Sequence, residues 1–166
     1  MKLSRDRQTL GAIGGLALLA GLLSTVRPAH AQAAYGSYVG VGGSAGFGSG
    51  FEGGGAISAR YKLLELPLSI RAQALVGSGV AIVPSVSYDI PINWQTDAYI
   101  GPGVVIPSGG GTPVGDKVSF AIQPGVDYAF PNSNMVAFGN AIIAFDAFRD
   151  EGGTAFSIQG GVGLRF

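Results

Sequence analysis

The chain has 166 residues, of which 47% are hydrophobic and only 12% are charged, with 29 glycines and no cysteine. This length allows one domain, and the charged fraction is far below the ~25% of an ordinary soluble domain. Basic and acidic residues are equal in number, 10 of each, and they form no basic patch. The composition therefore predicts no nucleic-acid partner.

The N-terminus has the pattern of a secretory signal. Basic residues occur among the first seven positions, an apolar run covers residues 10–26, and a small-x-small site ends at Ala31. The apolar run is shorter than the ~20 residues that a membrane-spanning helix needs. We therefore predict a signal peptide at residues 1–31, cleaved after Ala31, and a single mature domain at residues 32–166.

Loss of the signal peptide would remove His30, the only histidine of the chain. Without histidine or cysteine, the mature domain lacks the usual nucleophile–base pairs and the preferred ligands of transition metals. Residues 48–53 match the pattern G-x-G-x-x-G, but strand-like sequence follows them where a dinucleotide site needs a helix. The sequence predicts no enzyme activity, no cofactor and no metal site.

The remaining sequence divides into eight strand-like segments with short connections. Most of them alternate apolar residues with small or polar ones, which is the two-residue period of a strand with two different faces. Each strand and its connection average about 17 residues, and a tilted membrane strand needs ~9–11, so only short turns are left. The predicted strands cover residues 35–47, 54–63, 68–76, 79–90, 96–106, 117–128, 134–146 and 154–166.

An internal repeat links the fourth, sixth and eighth strands. AIVPSVSYDIP at residues 81–91 aligns with AIQPGVDYAFP at 121–131 and with SIQGGVGLRF at 157–166. In an up-and-down meander these strands run in the same direction, so their ends reach the same interface. The aligned positions predict one aromatic girdle, formed by Tyr88, Tyr128, Phe130, Leu164 and Phe166.

Two features break the regular pattern. Pro84, Pro102 and Pro124 each fall inside a strand on its apolar face, where a missing N–H predicts a bulge or kink. The seventh strand, residues 134–146, fits the alternation in neither register, which predicts a bulge there as well.

The opposite face of the strands carries charge. Unpaired charges inside a narrow barrel would be costly to desolvate, and side chains roughly fill an eight-stranded interior, so we predict a structural network of ion pairs. Inward glycines at 101, 103, 125, 161 and 163 leave a second possibility, a water-filled conducting path. The predicted lumen network consists of Arg60, Lys62, Arg71, Asp89, Asp97, Asp127 and Arg165.

The last strand alternates up to the final residue, the aromatic Phe166. Together with the signal peptide and the repeated girdle aromatics, it resembles the small outer-membrane β-barrels of Gram-negative-type envelopes, the OmpA-like and OmpX-like porin-family proteins. The resemblance implies an all-β, eight-stranded, up-and-down antiparallel transmembrane β-barrel in the outer membrane. It also implies membrane lipid as a partner and recognition of the C-terminal strand by the barrel-assembly machinery.

On this basis we expect a non-enzymatic integral barrel with a structural role in the envelope and at most slight passive permeability. Two alternatives remain open at this stage. One is a narrow porin-like solute channel, and the other is a soluble periplasmic barrel that carries an apolar ligand. The sequence leaves the oligomeric state open.

Overall fold

The computed structural model describes residues 36–48, 50–63, 65–150 and 152–166. The predicted signal peptide, residues 1–31, lies outside this part of the chain. The described residues form eight strands that pair antiparallel in chain order and close between β8 and β1. The strands are β1 (Tyr38–Phe47), β2 (Phe51–Leu63), β3 (Leu68–Val76), β4 (Gly79–Asn93), β5 (Thr96–Gly109), β6 (Ser119–Ala129), β7 (Met135–Phe145) and β8 (Ala155–Arg165).

This architecture confirms the predicted all-β, eight-stranded, up-and-down antiparallel barrel. We call the end that carries the β2–β3, β4–β5 and β6–β7 turns the inner end, and the opposite end the outer end. The main difference from the predicted boundaries is the β4–β5 hairpin, whose strands of 15 and 14 residues are longer than expected.

The pairing register sets the tilt of the strands. Directly opposite residues, followed once around the barrel from Thr96 on β5, return to β5 at Ile106. The register therefore shifts by about ten residues in one circuit around the barrel. A shift of this size corresponds to strands that are tilted by roughly 40° from the barrel axis. The interior of an eight-stranded barrel is just wide enough for side chains to fill it.

Alternation along each strand sorts side chains to the two faces. On β4, burial alternates residue by residue from the buried Gly79 to the exposed Ile90. On β2, β3 and β6 the predicted lumen residues Arg60, Arg71 and Asp127 face inward. Lys117 precedes β6 and pairs with Asp146 in the outer loops.

The predicted bulges at Pro84, Pro102 and Pro124 are wrong, whereas the alternative of a kink at these positions stays a prediction. The β4–β5 register is the same on both sides of Pro84, where Ile82 lies opposite Ile106 and Ser85 lies opposite Gly103. Pro102 and Pro124 likewise occupy regular positions in the β5–β6 ladder. A proline removes one donor from a ladder but adds no residue to the strand, so the register is kept.

The predicted bulge in the seventh strand is also wrong. β7 pairs in constant register with both β6 and β8. Its sequence fits no alternation because its inward face is itself largely apolar, with Val136, Phe138, Ile142 and Ala144 buried.

The interior consists of three layers of side chains. Charged residues occupy the inner end, amide and hydroxyl side chains occupy the middle, and apolar residues fill the outer end. The loop at 110–118 closes the outer end, with Val114 buried completely in the apolar layer. The apolar layer contains Ala56, Leu75, Ala81, Val83, Val105, Val114, Ala121, Ile142, Ala144, Ala147 and Ala155.

Candidate functional site

Arg60 lies at the centre of the charged layer. Its Nη2 is 2.7 Å from an oxygen of Asp89 and 2.9 Å from an oxygen of Asp97, and its Nη1 is 3.0 Å from Asp127. Its Nε donates to Ser69 Oγ at 3.0 Å. One guanidinium on β2 thus binds carboxylates from β4, β5 and β6 across the lumen.

Arg71 on β3 makes a second set of contacts beside the first. Its Nη2 lies 2.8 Å from Asp127 and 3.4 Å from Asp89, and its Nε donates to Ser87 Oγ at 2.8 Å. The guanidinium carbon is 3.3 Å from the centroid of the Tyr99 ring. This adds a cation–π contact to the two ion pairs.

The carboxylates receive further donors. Tyr38 Oη donates to Asp127 at 2.9 Å, Ser87 Oγ donates to Asp89 at 3.1 Å, and the Ser69 hydroxyl donates to Asp89 as well. Because these buried charges are both paired and hydrogen-bonded, the layer is a stable network of fixed geometry.

Exposure falls steeply from the inner mouth into the barrel. The pair of Lys62 and Asp97, at 3.2 Å, is partly open to solvent, with side chains 28% and 21% exposed. Arg60, Arg71, Asp89 and Asp127 are at most 4% exposed. Three basic side chains thus face three carboxylates, and the six formal charges of this cluster balance.

The structure brings the predicted lumen residues Arg60, Lys62, Arg71, Asp89, Asp97 and Asp127 into one cluster. Arg165 lies at the rim of the inner mouth, where its Nη2 donates to the carbonyl oxygens of Ser133 and Phe130.

The inward aromatic residues Tyr38, Tyr99 and Phe138 were missed in the sequence. Tyr38 and Phe138 stack with ring centroids 5.8 Å apart. Their inward orientation could have been predicted, because they occupy inward-facing positions in the alternation of β1, β5 and β7, next to strands rich in glycine.

Aromatic rings fill the lumen beside two of the five inward glycines. Tyr99 lies directly opposite Gly125, and a Cβ on Gly125 would be 2.4 Å from the Tyr99 ring. Phe138 lies directly opposite Gly161, where a Cβ would be 2.7 Å from its ring. The aromatic rings thus occupy the space above the glycines, an arrangement known to support glycines in sheets.

Amide side chains form the middle layer. Gln73 and Asn140 exchange two hydrogen bonds, at 3.0 and 3.1 Å. Ser85 donates to Gln123 at 2.6 Å, and Gln159 donates to Ser157 at 2.6 Å. The first three of these bonds join β3 to β7 and β4 to β6 across the lumen, and the fourth lies within β8.

Two clefts lie at the ends of the barrel. A cleft of about 90 Å³ at the inner mouth is lined by residues that include Lys62, Trp94 and Asp97. A wider cleft of about 480 Å³ lies between the outer loops, beside Phe148 and Arg149. Within the residues that the structure places, no three acidic or histidine side chains are grouped to hold a metal ion.

The outer surface of the barrel carries two belts of aromatic residues. Phe156 and Phe166 on the last strand are about ten residues apart, which corresponds to roughly 25 Å along the barrel axis at this tilt. Between the belts the exposed side chains are predominantly apolar. The inner belt contains Tyr61, Tyr88, Tyr128, Phe130 and Phe166, and the outer belt contains Phe47, Phe51, Phe120, Phe145 and Phe156.

The predicted girdle residues all face outward at the inner end. Tyr88, Tyr128 and Phe130 are 52%, 37% and 38% exposed, and Leu164 and Phe166 are each 64% exposed. Tyr128 and Phe130 contact each other edge to face, with centroids 5.2 Å apart. The described ranges of the chain contain no helix that is long and apolar enough to span a bilayer.

Comparison with known proteins gives a likeness of fold. A scan against models of protein families found no match, and a search of curated proteins found none either. Among solved structures, the crystal structure of Neisserial surface protein A is similar, with a TM-score of 0.55 and 17% sequence identity. The alignment covers 79% of this chain and 97% of that chain. At this identity the comparison shows a common barrel fold.

Proposed function

We propose that this chain is a non-enzymatic integral barrel of the outer membrane, with a structural role in the envelope and a closed lumen. The observation that carries the proposal is the apolar band between the two aromatic belts. Its height of roughly 25 Å matches the lipid-facing band of bacterial outer-membrane barrels. An exposed apolar surface of this extent would be unfavourable in water but suits contact with lipid acyl chains.

Membrane lipid is therefore the proposed partner of the outward face. The fold shared with a neisserial surface protein supports an envelope location. Export through a signal peptide at residues 1–31 is the route that we infer for reaching it.

We also propose that the barrel-assembly machinery reads the C-terminal strand. Phe166 directly follows β8, and its N–H donates to the Ser37 carbonyl at 3.2 Å. Its ring points away from the barrel and is 64% exposed. Before β8 pairs with β1, it thus presents an apolar face and an exposed aromatic residue.

The filled lumen favours a structural role over a solute channel. A solute would have to cross a charge-balanced network, a hydrogen-bonded amide layer and a packed apolar layer. The apolar layer is the strongest barrier, because an ion there loses its hydration and gains no partner. We infer that passive permeability is at most slight.

A soluble carrier of an apolar ligand is disfavoured by the same surface. Such a protein would turn polar residues toward water and keep its apolar residues around an internal cavity. Here large apolar side chains such as Ile57, Ile70, Ile82, Ile100 and Ile158 are 50–51% exposed.

The proposal is tested by cell fractionation, by gel mobility with and without boiling, and by planar-bilayer recording. We expect the protein in the outer-membrane fraction, a heat-modifiable band, and no single-channel steps. A soluble periplasmic protein without a mobility shift would refute the membrane location. Regular conductance steps from the purified protein would refute the closed lumen and leave the location intact.

A further inference from the structure

The β4–β5 hairpin reaches beyond the inner aromatic belt. Thr96, the first residue of β5, lies opposite Tyr128 of that belt. Trp94 lies two residues further along the hairpin, on the order of 5 Å beyond the belt along the barrel axis. It is 101% exposed, so none of the described residues covers its ring.

The backbone of the turn is held in place by hydrogen bonds. The N–H of Gln95 donates to Asn93 Oδ1 at 2.9 Å, which is an Asx-type turn. The N–H of Ala129 on β6 donates to the carbonyl of Gln95 at 2.7 Å. Trp94 is thus presented at a defined place outside the barrel.

Further apolar residues surround this tip. Ile92 is 61% exposed and Leu66, in the β2–β3 turn, is 54% exposed. The N–H of Asp89 donates to the carbonyl of Pro67 at 2.8 Å, which holds the β2–β3 turn beside β4. One side of the inner rim therefore carries three large exposed apolar side chains, beside the exposed polar residues Glu65, Asn93 and Gln95.

The opposite side of the inner rim is polar. The β6–β7 turn consists of Pro131, Asn132, Ser133 and Asn134, and Ser133 caps it by donating to the Phe130 carbonyl at 3.3 Å. The barrel thus has an inner rim with two unlike sides, although the aromatic belt above it is continuous.

We propose that Trp94, with Ile92 and Leu66, inserts into the lipid headgroup layer at the inner end, while the β6–β7 turn stays in water. The inference rests on the proposed membrane location and adds a fixed orientation to it. Tryptophan favours this layer because its ring is apolar and its N–H can still find a hydrogen-bond acceptor. Continuity supports lipid as the occupant, since the exposed outward face of β4 runs from Ile82 to Ile90, and the exposed Ile92 follows at the register shift between Pro91 and Asn93.

The chain contains a single tryptophan, which makes the test direct. The protein is purified in detergent and reconstituted into vesicles of phosphatidylcholine and phosphatidylglycerol. Trp94 fluorescence is then measured with lipids brominated near the headgroup and, separately, with aqueous iodide. Two control variants move the probe, Phe130→Trp and Pro131→Trp, each combined with Trp94→Phe. The first places it in the inner belt and the second in the polar turn.

We expect bromolipid to quench Trp94 several-fold more than the probe at Pro131, and iodide to show the reverse order. Equal iodide quenching of Trp94 and the Pro131 probe, without bromolipid quenching, would overturn the inference. In that case Trp94 is free for a protein partner. The Phe130 probe separates this result from failure of the membrane proposal, because bromolipid quenches it whenever the barrel is inserted.

Discussion

Tyr99 and Gly125 lie directly opposite each other on β5 and β6, and the Tyr99 ring covers the glycine inside the barrel. The same ring receives the Arg71 guanidinium on its face, 3.3 Å from the ring centroid. A glycine on one strand thus makes room for an aromatic ring, and the ring positions a cation that binds two carboxylates. Packing and charge in the inner half of the lumen are parts of one arrangement.

Arg71→Met should destabilise the barrel strongly. It leaves Asp127 and Asp89 with one guanidinium fewer in a site that is almost fully buried, and removal of one partner of a buried pair costs about 3–5 kcal/mol. The measurement is urea unfolding of the reconstituted protein, followed by heat-modifiable gel mobility. Lys117→Met is the matched control, because its partner Asp146 is 67% exposed and such surface pairs contribute below about 1 kcal/mol. Equal losses for the two variants would contradict the structural role of the network.

Replacement by alanine should affect the stability of the barrel differently at two neighbouring glycines. A Cβ on Gly161 would lie 2.2 Å from the Val41 carbonyl oxygen and 2.7 Å from the Phe138 ring, whereas on Gly160 its nearest atom is 3.7 Å away. Gly161→Ala should therefore cost about 1–3 kcal/mol through overpacking, and Gly160→Ala should be close to neutral. The same unfolding assay compares them. A destabilised Gly160→Ala with an unaffected Gly161→Ala would mean that the faces of β8 are assigned the wrong way round.

The strands and their two faces could be predicted from the sequence because alternation is a local property. On β3, for example, Arg71 faces inward as predicted, with Ser69 and Gln73 on the same face, and Ile70 faces outward. The local pattern also identified the charged residues that meet in the lumen. It could not give their partners, because those depend on the register around the whole circuit.

The filling of the lumen could not be predicted for the same reason. Which ring covers which glycine is decided by pairs such as Phe138 with Gly161, which are distant in sequence. The apolar outer layer also hid the alternation of β7, since both faces of that strand are apolar. A prediction that expects polar residues on the inward face fails where the interior is packed like the core of a globular domain.

Two glutamines of the middle layer should differ when replaced by leucine. Gln73 exchanges two bonds with Asn140, so Gln73→Leu leaves a buried amide unpaired and should cost about 1–3 kcal/mol. Gln159 donates to Ser157, and its Oε1 has no hydrogen-bond partner among the described residues. Gln159→Leu should thus be neutral or slightly stabilising, because Ser157 keeps its bond to the Ala45 carbonyl. Thermal unfolding of the two variants in the same detergent measures the difference, and a larger loss for Gln159→Leu would show that this amide has a second essential contact.

Val114→Asp should release the loop that closes the outer end. Val114 is completely buried in the apolar layer, and the loop is also held by the N–H groups of Asp116 and Lys117, which donate to the Ala147 carbonyl at 3.0 and 3.1 Å. Two such bonds do not compensate for a buried, unpaired carboxylate, whose effective cost is several kcal/mol. We expect protease added to intact cells to cut the loop of this variant, while its heat-modifiable mobility is retained.

The same variant tests what closes the lumen. Ser108→Asp, which adds a charge at an exposed position on β5 at the same end, should remain resistant to protease and serves as the control. Val114→Asp should still show no conductance in planar bilayers, because the amide layer and the charged layer remain intact below the loop. Ion conduction by Val114→Asp alone would mean that the outer loop is the only seal and that the two inner layers admit ions.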